Sequence, residues 1–198
     1  MKQALIFISI CLLIGSLAGC GDKGETVVSP SADQRVSEGW EEYVAGNYED
    51  AVAKFQEARG KDPDNAEAYN GIGWAQAKLG RIKDSIDSFE VAVAKNPSSA
   101  DAHAGSAGAY LANGDYEKAI ASAKLVLSLD PKYSSHHDDL KANDIRVLLA
   151  ECYYNTGDYD AAKNQIDLLN YGKALDPNSP AYLSDLLYAI EELAGKIY

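Results

Sequence analysis

A set of residue types recurs every 34 residues through the middle of this chain, and this spacing restricts the fold more than any other feature. In the copy that spans residues 66–99 the recurring residues are Gly73, Gly80, Phe89, Ala92 and Pro97. The same positions one interval earlier hold Gly39, Gly46, Phe55, Ala58 and Pro63. One interval later Ala107, Gly114 and Pro131 continue this pattern, and Tyr116 and Ala119 match Tyr48 and Ala51 two intervals earlier. Repetition at this interval is typical of an array of stacked units, each of which covers the hydrophobic face of the next.

Each copy predicts two helices joined by a tight turn. Glycine ends the first helix because it readily adopts the left-handed conformation, and proline follows the second helix because it cannot continue one. Small residues are expected where paired helices cross closely, at Gly39, Gly73, Ala107 and Ala150. Six helices are therefore predicted, at residues 33–45, 48–60, 66–79, 82–95, 100–113 and 116–129.

The fourth copy is irregular. Its turn glycine, Gly157, follows Gly114 by 43 residues rather than 34, and its proline, Pro177, follows Pro131 by 46. About nine residues are therefore expected to be inserted before its first helix, within residues 134–142. About three more, near residues 170–173, are expected to lengthen its second helix or the loop after it.

The chain is expected to end in one more helix. Ser179 and Pro180 predict its beginning, because serine caps helices and proline suits the first helical position, and it is expected to run to about Ala194. Its apolar residues recur at helical spacing. The helix either covers the apolar end of the array or pairs with the same helix of a second copy.

This repeat pattern resembles the tetratricopeptide repeat. The resemblance implies an all-α, right-handed superhelical solenoid of about four helix pairs plus a C-terminal capping helix. It also implies a non-catalytic scaffold that binds other proteins. Under this interpretation the chain divides into repeats at 32–65, 66–99 and 100–133, an insertion with an irregular fourth repeat at 134–178, and a capping helix at 179–198.

In this family the first helices of successive units line a ligand groove. The resemblance therefore implies groove residues at Trp40, Tyr43, Asn70, Trp74, Lys78, Asp101, Ala104, Gly108, Asp144, Glu151 and Tyr154. The expected partner is a protein or peptide with aromatic or apolar side chains, and the acidic rim favours basic ones. The alternative is that one or both tryptophans pack in the core. Some relatives clamp a terminal carboxylate with lysines and asparagines, but only Asn70 and Lys78 fit that pattern here, so this activity is not expected.

The N-terminus has the pattern of a targeting segment. Residues 1–19 have the basic start, apolar centre and small residues of a secretory signal peptide, and Leu17-Ala18-Gly19-Cys20 resembles the lipobox of bacterial lipoproteins. That resemblance implies a lipid on Cys20 as the only attached group. It also implies a flexible tether at 20–33 and a membrane-anchored protein facing the periplasm. Gly21, in place of Asp, favours the outer membrane in this family.

Other chemistry has little support in the sequence. A net charge of −12 argues against nucleic-acid partners, and no catalytic motif is present, so we expect no enzyme. Cys152 is predicted to be a buried thiol and His103 to hold a structural position. The insertion contains His136-His137-Asp138-Asp139, which we expect to be solvated and to begin the next helix. The rival interpretation is a small-ligand or metal-binding envelope lipoprotein that uses residues 134–142.

Overall fold

The computed structural model describes residues 29–195, so the predicted signal peptide, Cys20 and most of the predicted tether lie outside the described residues. Within the described residues the fold is all-α, with nine helices. They are α1 (Ala32–Val44), α2 (Tyr48–Lys61), α3 (Ala66–Lys78), α4 (Ile82–Lys95), α5 (Ala100–Asn113), α6 (Tyr116–Leu129), α7 (Ala142–Thr156), α8 (Tyr159–Leu168) and α9 (Tyr182–Ala194). The six helices predicted from the repeat are confirmed to within one residue at each end.

The helices stack as antiparallel pairs, and the turns explain why. Each odd-numbered helix from α1 to α7 packs against the helix that follows it and also contacts the next odd-numbered helix. The first helices of the pairs therefore line one side of a superhelix. All four turn glycines have positive φ, between 73° and 82°, as predicted. A side chain at these positions would be strained, so the glycines fix where each first helix ends.

Aromatic rings fill the space between neighbouring pairs. The Phe55 ring is fully buried and lies between two glycines, Gly39 of its own pair and Gly71 of the next. A Cβ atom would lie 2.6 Å from this ring at Gly39 and 2.3 Å at Gly71. The close crossing predicted at Gly39 is confirmed, and the one at Gly71 was not foreseen. The same arrangement recurs one repeat later.

The fourth unit departs from the first three in its loops. Its first helix begins at Ala142, so the extra residues before it form a separate segment. Its second helix ends at Leu168 after ten residues. The additional residues predicted near 170–173 therefore lengthen the loop after α8 rather than the helix itself. Asn170 in that loop has a positive φ of 53°, which asparagine tolerates better than most residues.

The last helix begins later than predicted. Helix α9 starts at Tyr182, with Ala181 as its N-cap residue, so the prediction that Ser179 caps it and Pro180 opens it is wrong. The Ser179 carbonyl instead accepts the Tyr182 N–H at 3.0 Å, and its hydroxyl accepts the Ala181 N–H at 3.2 Å. These bonds form a turn that precedes the helix.

Helix α9 packs on α7 and α8 at the end of the array. Its residues Leu186, Ala189 and Ile190 are buried in a cluster that includes residues of both helices. Leu183 and Tyr188 remain 42% and 57% exposed. Covering the apolar end of the array and pairing with a second copy both stay predictions for this helix. No helix within residues 29–195 combines the length and apolar character needed to cross a bilayer.

Candidate ligand groove

The predicted groove residues are distributed over the four first helices, which line the inner side of the superhelix. Trp40 and Tyr43 lie on α1 and are 7% and 3% exposed, and Asn70 on α3 is 1% exposed. Trp74 is half-buried and Lys78 is exposed. On α5, Ala104 is buried, whereas a Cβ atom at Gly108 would meet no other atom within 4 Å.

The two tryptophans make equivalent contacts in successive repeats. Each indole N–H donates to a carboxylate 27 residues further along, from Trp40 to Glu67 at 3.0 Å and from Trp74 to Asp101 at 2.9 Å. Each ring also packs edge-on against the phenylalanine of its own repeat, with centroids 5.0 and 5.7 Å apart. Both indoles therefore help to join neighbouring units, in addition to any contact with a ligand.

Asp101 is a hydrogen-bonding centre that joins the second and third repeats. Its Oδ2 accepts from Asn70 Nδ2 and Trp74 Nε1, both at 2.9 Å. Its Oδ1 accepts the Tyr133 hydroxyl at 2.6 Å. Burial and the Asp101 charge both raise the pKa of Tyr133, so this phenol remains a donor. The carboxylate predicted to attract basic ligand side chains thus binds three side chains of the protein itself.

The insertion lies on the inner side of the superhelix, where His136 and Asp139 are exposed as predicted, but His137 and Asp138 are partly buried against groove residues rather than fully solvated. Residues 134–141, hereafter the groove loop, form a narrow hairpin. The Ser135 N–H donates to the Leu140 carbonyl at 2.9 Å, and the Ala142 N–H donates to the Tyr133 carbonyl at 2.8 Å. Because Tyr133 is buried against Asp101, the hairpin starts within the groove and its tip reaches α1 and α3.

The tip of the groove loop contacts three of the predicted groove residues. The His137 ring lies parallel to the Trp40 indole, with centroids 3.6 Å apart and an interplanar angle of 5°. Asp138 Oδ2 is 2.7 Å from Lys78 Nζ and accepts the Tyr43 hydroxyl at 3.2 Å. Helix α7 begins at Ala142, so the prediction that the acidic residues of the insertion, Asp138 and Asp139, begin the next helix is wrong.

The ionisation of both tip residues follows from this packing. Burial lowers the pKa of His137, opposed by the nearby charge of Asp101, so the imidazole is neutral at pH 7. Burial alone would raise the pKa of Asp138, but the Lys78 ammonium and further hydrogen bonds lower it below its ordinary value. Asp138 is therefore a carboxylate paired with a lysine.

Two open cavities flank the tip of the groove loop. One has a volume of about 460 Å³ and lies between Tyr43, Tyr48, Lys78 and the loop itself. The other, of about 420 Å³, lies on the side of Trp40 and Glu41. Val44 borders both cavities and is 68% exposed. The loop thus occupies only the central part of this end of the groove.

The remaining groove candidates lie on α7. Asp144 accepts the Lys141 N–H at 2.7 Å and so completes the start of the helix. Burial raises the pKa of Glu151 above its ordinary value. Tyr154 packs edge-on against Tyr159, with centroids 5.3 Å apart. These contacts show local structural roles for Asp144 and Tyr154, and any contact with a ligand remains a prediction.

The candidates for metal or thiol chemistry have other environments. Among residues 29–195, no group of three or more histidine, cysteine or acidic side chains is arranged to hold a metal ion. The rings of His136 and His137 are 6.3 Å apart and inclined at 69°. His103 is buried, with Nε2 3.0 Å from the Pro97 carbonyl. Cys152 is buried, and burial raises the pKa of its thiol to about 12, which makes it unreactive at neutral pH.

An array of helix pairs with one helix of each pair on the inner side defines a class of protein-binding α-solenoid. The chain belongs to the tetratricopeptide repeat family, whose sequence patterns match residues 36–100, 78–134 and 144–168. No curated protein matches the chain significantly.

Several solved structures share this fold. YrrB, described as a TPR protein with an unusual peptide-binding site, superposes with a TM-score of 0.64 at 17% identity, over 84% of this chain and 77% of its own. MamA superposes with a TM-score of 0.59 at 21% identity, over 83% and 81%. The pilF protein of Pseudomonas aeruginosa gives 0.60 at 16% identity, over 84% and 73%. At these identities the likeness establishes the fold alone.

Proposed function

We propose that the protein is a membrane-anchored scaffold lipoprotein that binds a protein or an extended peptide in its groove, as part of a bacterial cell-envelope assembly. The observation that carries the proposal is the groove loop. This face of α1 and α3 accommodates the tip of a polypeptide hairpin through a ring stack and a charged hydrogen bond. The peptide-binding site of YrrB supports the same use of the fold.

The expected charge of the partner changes along the groove. Glu67 and Asp101 accept hydrogen bonds from the tryptophans, so they are less available to basic ligand side chains than their position alone indicates. Lys78 is the cation at the end of the groove formed by α1 and α3. A partner with aromatic and acidic groups fits this end, while basic groups fit better beyond it.

Photo-cross-linking in cells tests the groove. A photoreactive amino acid at Val44, which borders both cavities, is expected to give a specific covalent adduct with the partner. The same residue at Leu125, which is exposed on α6, a second helix of its pair, serves as the matched control and should give none. Equal adducts at both positions, or none at Val44, would contradict groove binding.

The anchor has its own test, since Cys20 lies outside the described residues. Cys20→Ala is expected to move the protein from the membrane fraction to the soluble fraction, or to leave it unprocessed, because a covalent lipid provides the membrane affinity. Cys152→Ala is the control and should stay with the membrane. Mass spectrometry of the wild-type protein should find a lipid-modified Cys20 at the mature N-terminus. An unmodified Cys20, with cleavage elsewhere, would end the proposal of an anchor.

A further inference from the structure

We infer that the groove loop is an internal competitor for the partner, and that the partner presents a planar side chain next to a carboxylate side chain. The inference rests on the proposed function, since it requires a groove that binds peptides. It names the chemistry of the ligand and the segment that the ligand must displace. The site consists of the Trp40 face, the Tyr43 hydroxyl and the Lys78 ammonium.

The planar requirement comes from the way the Trp40 ring is used. Its neighbours Tyr43 and Phe55 approach it edge-on, at interplanar angles of 82° and 73°, and its N–H is taken by Glu67. Among residues 29–195, His137 alone lies parallel to the ring, at 5°. The indole face under His137 is therefore the surface left for another planar group. A neutral imidazole or a phenyl ring fits this surface.

The carboxylate requirement comes from Lys78 and Tyr43. Both point donors at one oxygen of Asp138, at 2.7 and 3.2 Å. Burial and the nearby Asp138 charge raise the pKa of Tyr43, so its hydroxyl acts as a donor. Two convergent donors favour an acceptor with negative charge. A lysine or arginine of a ligand would be repelled by Lys78 at this point.

The loop is suited to be displaced. Its base is held separately, by an isolated antiparallel β-bridge between Ser134 and Lys141 and by the hydrogen bond from Tyr133 to Asp101. Its tip is held by one ring stack, by the Tyr43 hydrogen bond to Asp138 at 3.2 Å and by one partly exposed ion pair, whose side chains are 39% exposed at Lys78 and 29% at Asp138. Exposed ion pairs of this kind contribute little to stability. A ligand that also enters the flanking cavities can make these contacts and additional ones.

Displacement has a measurable consequence. A peptide binds only while the groove is open, so its apparent affinity is reduced in proportion to the fraction of molecules whose groove is open. The full-length double variant His137→Ala/Asp138→Ala removes the ring stack, the ion pair and the Tyr43 hydrogen bond of the tip. The matched control is His136→Ala/Asp139→Ala, which changes the two neighbouring, exposed side chains of the same loop. The probe is the synthetic peptide of residues 134–140, and its binding is measured by calorimetry and tryptophan fluorescence.

We expect the tip variant to bind this peptide at least about tenfold more tightly than the wild type or the control, as a mostly closed groove requires. A peptide that lacks the His137 and Asp138 side chains should lose this affinity. Equal binding by wild type and tip variant, or equal binding of both peptides, would overturn the inference. Asp138→Asn, which keeps the shape of the loop, is measured in parallel and should show a smaller gain. If the double variant fails to fold, the Asp138→Asn variant tests the inference in its place.

Cross-linking at Val44 separates this inference from the proposed function. If the tip variant gives more partner adduct than the wild type while the control does not, the loop competes with the partner. Equal adduct yields from wild type and tip variant would reject the competition and leave groove binding intact. Loss of the adduct in every form would reject the proposed function itself.

Discussion

Gly105→Ala is expected to lower the free energy of unfolding by about 1–3 kcal/mol, even though alanine is the better helix former. A Cβ atom at Gly105 would lie 2.2 Å from Cζ of Phe89. The Phe89 ring is 1% exposed, and on its other side a Cβ at Gly73 would lie 2.7 Å away. The ring therefore has no free space to move into, and the added methyl group must separate α5 from the preceding pair.

Gly108→Ala, in the same helix, is the matched control and is expected to raise stability by about 0.5–1 kcal/mol. A Cβ atom there meets no other atom within 4 Å, so only the conformational advantage of alanine remains. Urea unfolding followed by circular dichroism measures both variants. Opposite signs at two glycines of α5 are expected. A stabilised Gly105→Ala protein would show that the packing around Phe89 is looser than the structure indicates.

The repeat explains how much of this fold the sequence predicts. Turn glycines and closing prolines act within one unit, so they predict six helices almost to the residue. The role of Gly71 and Gly105 was missed because it depends on the aromatic ring of the preceding unit. Their separation by the repeat interval was a signal that could have revealed them. Contacts between units are thus less visible in the sequence than contacts within one.

The candidate site was predicted less completely. The positions of Trp40, Tyr43 and Lys78 follow from the repeat, but their contact with the groove loop does not. Tyr43 and Asp138 are 95 residues apart in sequence, and an excess of residues shows that an insertion exists without showing which surface it packs on. Two signals were available: an aromatic and acidic tip in the insertion, and a lysine beside a tryptophan on the groove.

Asp101→Ala is expected to lower the free energy of unfolding by about 2–4 kcal/mol, because three hydrogen-bond donors lose the carboxylate that accepts from all of them. Asn70, Trp74 and Tyr133 all donate to this carboxylate. Asn70 and Tyr133 are almost fully buried, so water cannot easily replace the lost acceptor. The Tyr133 contact also holds the base of the groove loop, so the loop should detach from Trp40 well before the helices unfold.

Asp33→Ala is the control for this variant, since Asp33 occupies the equivalent place two intervals earlier. Both changes remove a negative charge from the first turn of a helix, which costs about 0.3–1 kcal/mol on its own. Asp33 is exposed and accepts only a weak bond from Asn65, at 3.3 Å, so its loss should cost about that much. Urea unfolding gives the two free energies, and tryptophan fluorescence reports the release of His137 from Trp40. Equal destabilisation by both variants would reduce Asp101 to an ordinary first-turn acid. A larger loss at Asp101 together with an early fluorescence change would show that one carboxylate joins the repeats and places the loop in the groove.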